Sequence, residues 1–169
     1  MGKPHINVYE KFKKRFYELT DKVGKKQFLV PYLMSSHPGS TITDAIELSL
    51  FLKKEGLHPE QVQDFYPTPG TISTCMFYTG LNPMNMQKVY VPRTSEEKAQ
   101  QRALLQYYKP ENRQFVLSAL KKAGRTDLIG YGKNCLIIPD KTMTGAKASA
   151  RPQQKKKKTI RNIHKPKKK

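Results

Sequence analysis

His37 stands in the run Ser35-Ser36-His37-Pro38-Gly39-Ser40, directly behind the apolar stretch Gln27-Phe28-Leu29-Val30-Pro31-Tyr32-Leu33-Met34. An imidazole in a Pro-Gly turn after a buried segment sits where binding and catalytic histidines are placed, because it titrates near neutrality and can act as acid or base. The competing reading is a ring whose nitrogens only hold the turn together. Ser35 and Ser36 carry hydroxyls able to donate to a carboxylate or a ribose, and are equally ordinary turn residues. Asp64 lies inside Gln61-Val62-Gln63-Asp64-Phe65-Tyr66. A carboxylate among buriable residues must pair or face a polar cleft, and pairing with a Lys or Arg is the structural alternative. The two cysteines, Cys75 and Cys135, have no CxxC or Cys/His cluster beside them, which excludes a self-contained zinc or iron–sulfur site of known spacing. Both are expected as packed or free thiols. Tyr78, Tyr107 and Tyr108 could stack on bases, and core packing is the plainer expectation.

These residues need elements to position them. Tyr9, Phe12, Phe16 and Leu19 repeat at helical spacing and Gly24 offers a stop, so an amphipathic helix is expected from Pro4. Residues 27–34 are apolar on both faces, which suits a buried parallel strand, although Pro31 removes one ladder donor. Thr41-x-x-Asp44 reads as a capping box with Asp replacing Glu, opening a helix with Ala45, Leu48 and Leu52 on one face and Gly56 past its end. Residues 61–66 read as a second strand and Pro67-Thr68-Pro69-Gly70-Thr71 as a second loop. Alternation of this kind predicts a βαβ unit and a parallel sheet, with chemistry gathered in loops 35–41 and 67–75 behind the strands. Further on, Val89-Tyr90-Val91-Pro92 is extended, Thr94 or Ser95 caps a helix running to about Tyr108, and Pro110-Glu111 opens another, with Phe115, Val116 and Leu120 apolar, that ends at Gly124.

The 169 residues hold 32 Lys+Arg against 13 Asp+Glu, a formal charge of +19. That length is one domain's worth and leaves no room for a separate cofactor domain. The charge is uneven: residues 1–140 hold 20 basic and 13 acidic side chains, while 141–169 hold 12 basic and none acidic. The last stretch, with Lys155–Lys158 and Lys167–Lys169, is expected to be disordered and able to bind nucleic acid by neutralising phosphates. The longest apolar run, Phe28–Met34, is seven residues. It is far short of a membrane span, and Met1-Gly2-Lys3-Pro4-His5-Ile6 lacks a signal core, so no membrane association and a cytoplasmic location are expected.

Several of these segments together resemble one family. Leu29-Val30-Pro31-Tyr32 with Ser35-Ser36-His37-Pro38-Gly39, Pro59-Glu60-Gln61-Val62-Gln63-Asp64-Phe65 with Pro67-Thr68-Pro69, Ser73-Thr74-Cys75-Met76, Tyr78-Thr79-Gly80, Val91-Pro92-Arg93 and Gln101-Arg102-Ala103-Leu104-Leu105-Gln106-Tyr107-Tyr108-Lys109-Pro110-Glu111-Asn112, then Leu128-Ile129-Gly130, are similar to the C-terminal part of the YgiQ family of radical S-adenosylmethionine (SAM) proteins. The resemblance covers about residues 1–140.

It implies an α/β fold: residues 1–80 as the C-terminal portion of a partial (β/α) radical SAM barrel, 81–140 as a helical C-terminal extension, and 141–169 as a disordered Lys-rich tail. The implied cofactors are SAM and a [4Fe–4S] cluster held by CxxxCxxC, the reduced cluster cleaving SAM to a 5′-deoxyadenosyl radical. No CxxxCxxC occurs in this sequence. The expectation is therefore a fragment, inactive alone, whose partner is the rest of the barrel and whose substrate is unknown. By position the resemblance makes Ser36 and His37 candidates for SAM contacts and places Gln63, Asp64 and Thr68 along the cleft. The reading from a different class is a stand-alone basic module that grips nucleic acid through 141–169.

Overall fold

The computed structural model describes residues 4–139. Helix α1 spans Ile6–Val23, strand β1 Met34–Ser35, helix α2 Ile42–Lys54, strand β2 Gln63–Asp64, helix α3 Ile72–Thr79, helix α4 Ser95–Leu105 and helix α5 Arg113–Lys122. Short 3-10 turns at Pro110–Asn112 and Thr126–Leu128 flank α5. The fold is α/β: β1 and β2 pair in parallel, Met34 opposite Gln63 and Ser35 opposite Asp64, with α2 as the crossover.

The helix starts follow from their caps. Thr41 and Asp44 form the expected capping box in both directions, the Thr41 N–H donating to Asp44 Oδ2 (2.7 Å) and the Asp44 N–H to Thr41 Oγ1 (3.3 Å). Thr94 Oγ1 takes the Glu97 N–H at 3.1 Å, which selects Thr94 over Ser95 as the cap. Gly24 closes α1 in the left-handed region at φ 68°, where a side chain would be strained.

The core is made by α2, α4 and α5. Ile46, Leu104, Val116, Ala119 and Leu120 are wholly buried, with Leu128, Leu136 and Ile137 from the last described segment closing one side. Residues from both expected body segments, 1–80 and 81–140, thus share one core. Ser49 is buried between α2 and α4: its hydroxyl lies 2.7 Å from the Ala45 carbonyl and 2.8 Å from the Leu104 carbonyl, so a polar residue is satisfied where an apolar one was the default.

Five expectations are corrected. The strands are two residues each rather than eight and six. Pro31 interrupts the first, and Phe28, Val30 and Tyr32 are 77%, 87% and 71% exposed, so the stretch has no second surface to lie against. The loop expected over 67–75 already turns helical at Ile72. Helix α4 stops at Leu105, not Tyr108, because Gln106 leaves helical geometry. The apolar stripe of α1 is incompletely covered: Phe12 is 56% and Leu19 45% exposed, and its described tie to the body is the Lys13–Glu55 ion pair. Both cysteines are free thiols, Cys75 exposed and Cys135 half-buried. Tyr107 and Tyr108 pack as expected, whereas Tyr78 lies exposed. Residues 141–169, with the expected tail, lie outside the described residues. Among the described residues no helix is long and apolar enough to cross a membrane.

Burial orders the sensitivity of these positions. Leu104→Ala removes a fully buried side chain at the junction of α2, α4 and α5 and is expected to cost about 2–5 kcal/mol. Val30→Ala, at an exposed position, is expected to stay within about 0.5 kcal/mol. Urea denaturation of both variants against the parent checks the contrast.

Candidate functional site

The loop after β1 is held in an unusual backbone. Ser36 has φ +60°, a left-handed conformation that a non-glycine residue adopts at a cost of about 1–3 kcal/mol. It persists because Gln101 on α4 clamps it. The Gln101 Oε1 accepts the Ser36 N–H at 3.0 Å and its Nε2 donates to the Ser40 carbonyl at 2.8 Å, so one buried amide bridges both ends of the turn. Gly39, at φ +90°, gives its N–H to the Tyr90 carbonyl at 2.7 Å. The Ser36 hydroxyl is buried and has no partner in the structure. A strained residue with an orphaned buried hydroxyl is a recognised mark of a ligand contact.

His37 is buried, with the Pro38 carbonyl 2.8 Å from Nδ1 and Ser73 Oγ, from the start of α3, 2.9 Å from Nε2. A carbonyl only accepts, so Nδ1 carries the proton. Burial pushes the imidazole below its ordinary pKa of 6.5, outweighing the bond to Pro38, which favours the charged ring. Phe65 braces the ring edge-on at 5.1 Å.

Asp64, from β2, joins the same cluster. Ser35 Oγ donates to Oδ1 at 2.5 Å and Arg102 Nη1 to Oδ2 at 2.8 Å. The carboxylate expected to pair with a base does so, and the Ser35 hydroxyl expected to reach a carboxylate reaches this one. The Asp64–Arg102 pair is partly exposed and worth little by itself. Its geometry fixes α4 to the strand ends.

The structure therefore brings Ser36, His37 and Asp64 to the C-terminal ends of the parallel strands. Gln63 and Thr68 sit elsewhere: Gln63 is exposed and accepts the Tyr32 hydroxyl, and Thr68 is exposed and offers its carbonyl to Thr71 Oγ1 and Thr74 Oγ1. A cavity of about 370 Å³ opens beside the loop, lined by Ser35, His37, Ser40, Asp44 and Gln101 among others. That volume is within the range of small-molecule sites. Ser73, Gln101 and Arg102 carry no distinctive site signal in the sequence. The nearest sequence signal was that Ser73 falls in the second loop and that Gln100-Gln101-Arg102 is a polar run inside a helix.

Residues 60–169 match the family described as a domain of unknown function, DUF3362. The chain belongs to that family. It is 59% identical over 137 residues to a UPF0313 protein of Clostridium perfringens strain 13, covering 81% of this chain and 21% of that protein. A UPF0313 protein of Clostridium botulinum strain 657 matches with the same identity and coverage. The chain thus spans about a fifth of the length of the curated relatives it matches. No solved structure matches.

The lowered His37 pKa makes a pH prediction. As pH falls below 6.5 the unfolded chain takes up this proton before the folded one does, so the contribution is complete above that pH and is lost on acidification. His37→Gln is therefore expected to lose less stability than the parent between about pH 7 and about pH 5. Thermal melts across that range check it, and parallel losses would exclude His37 as the source.

Proposed function

We propose that this chain forms the C-terminal portion of a radical SAM enzyme, contributing the last strands of a partial barrel and the loops that contact SAM. The observation that carries the reading is the apolar row Phe28, Val30 and Tyr32. These alternate residues are exposed ahead of β1, and no further strand among the described residues pairs with β1 or β2. A parallel pair bared in this way fits a sheet completed by other strands, since parallel sheets are covered on both faces. The match to a fifth of longer UPF0313 proteins supports the same reading.

The implied groups fit unequally. Among the described residues no three His, Cys, Asp or Glu side chains gather as metal ligands, so the thiols of this chain do not fit a [4Fe–4S] cluster. In this reading its ligands belong to the rest of the barrel. SAM fits better: the unpartnered Ser36 hydroxyl suits a ribose hydroxyl or a carboxylate, while Asp64 is already committed to Ser35 and Arg102. This chain's part is to bind and orient the cofactor, which supplies the radical chemistry.

The nucleic-acid reading rests on residues 141–169, outside the described residues, and no described feature favours it.

A chimera of the Clostridium perfringens UPF0313 protein with its matching segment replaced by this sequence tests the cofactor contact. Ser36→Ala and His37→Ala are each expected to weaken SAM binding about tenfold, measured by equilibrium dialysis; unchanged affinity rejects the assignment. By itself the 169-residue chain is expected to self-associate, and Val30→Lys to shift it toward monomer in sedimentation velocity. A parent chain that is already monomeric counts against a bared sheet.

A further inference from the structure

We propose that Ser73 and His37 form a nucleophile–base pair able to accept an activated acyl group. Ser73 is the second residue of α3 and half-buried, with its Oγ 2.9 Å from His37 Nε2. Because the Pro38 carbonyl holds the Nδ1 proton at 2.8 Å, Nε2 of the neutral ring keeps its lone pair. The Ser73 hydroxyl therefore donates to it. The ring is fixed by Phe65, which is packed on Phe77 at 5.7 Å, and Phe77 lies in turn under the Arg93 guanidinium at 5.0 Å. Nucleophile, base and a group that orients the base stand in sequence, which is the arrangement that activates a serine. Burial keeps the resting imidazole in its neutral form, the form in which Nε2 accepts the Ser73 hydroxyl.

The step balances within the pair and the acyl donor. As Ser73 Oγ bonds to the carbonyl carbon, its proton passes to His37 Nε2. The leaving group departs with the electron pair of its bond to that carbon and takes the proton from the imidazolium. The product is an acyl-serine, and the imidazole returns to its neutral form. This inference shares His37 with the SAM reading but does not rest on it, since Ser73, His37 and the contacts that align them lie within this chain.

The full chain, treated with a biotinylated fluorophosphonate, tests it. Ser73 Oγ bonds to phosphorus, fluoride leaves, and the serine proton goes to His37. Peptide mass spectrometry is expected to find the adduct on Ser73, none in Ser73→Ala, and a rate about 100-fold lower in His37→Gln, whose amide can still accept the Ser73 hydroxyl. No adduct on Ser73, or an equal rate in His37→Gln, overturns the proposal. Ser73→Cys gives a second measurement that does not depend on how His37→Gln folds. With His37 beside it, the introduced thiol is expected to react with iodoacetamide at neutral pH faster than Cys75, which is exposed on the same helix. Equal or slower alkylation overturns the pair.

Discussion

Helix α4 and the residue that caps its C-terminal end, Gln106, hold the described body together through amide side chains. Gln100, Gln101 and Gln106 are all buried. Each reaches a different part of the chain: Gln100 to Ser118 on α5 (3.1 Å), Gln101 to the Ser36–Ser40 turn, and Gln106 to the Pro59 and Glu60 carbonyls (3.1 and 2.7 Å). A buried amide left without partners is costly, so these contacts fix where the segments sit as well as stabilising them. Apolar packing brings α2, α4 and α5 into contact without dictating register. The glutamines supply the directionality that packing lacks.

The site inherits its order from this arrangement. The β1 loop has little secondary structure of its own, and its strained Ser36 is kept in place by an amide from a helix far along the chain. Asp64 likewise takes its orientation from Arg102, one residue beyond that amide. The strands are too short to impose a geometry; their role is to bring two loops side by side. Precision in this cluster comes from helix α4, and the strand ends determine only where the cluster lies.

Much of this was legible in the sequence, for local reasons. The Thr41–Asp44 box, the glycine stops and the helical spacing in α2 and α5 are encoded within a few residues, as is the parallel pair implied by strand, crossover and strand. Strand length was not legible. An apolar run such as Phe28–Met34 looks the same whether its second face is covered or bare, and Pro31 gave the one warning. For the site, Ser36, His37 and Asp64 declared themselves by residue type in a turn or strand. Gln101 and Ser73 did not, because their meaning lies in partners 65 and 36 residues away. The family resemblance extended further than local pattern, in line with the 137-residue match to UPF0313 proteins. It gave no indication of which side chains pair.

The dependence of the β1 loop on Gln101 also has a bearing on biosynthesis. A ribosome releases chain from the N-terminus, so Ser36 and the Pro59–Glu60 carbonyls emerge well before the helix that must secure them. Until α4 has cleared the exit tunnel, the Ser36–Ser40 turn and the Pro59–Glu60 segment lack the amides that secure them. Contacts of such long sequence separation form slowly. In this chain the order of synthesis therefore leaves the β1 loop without its anchor for as long as residues 41–105 take to emerge.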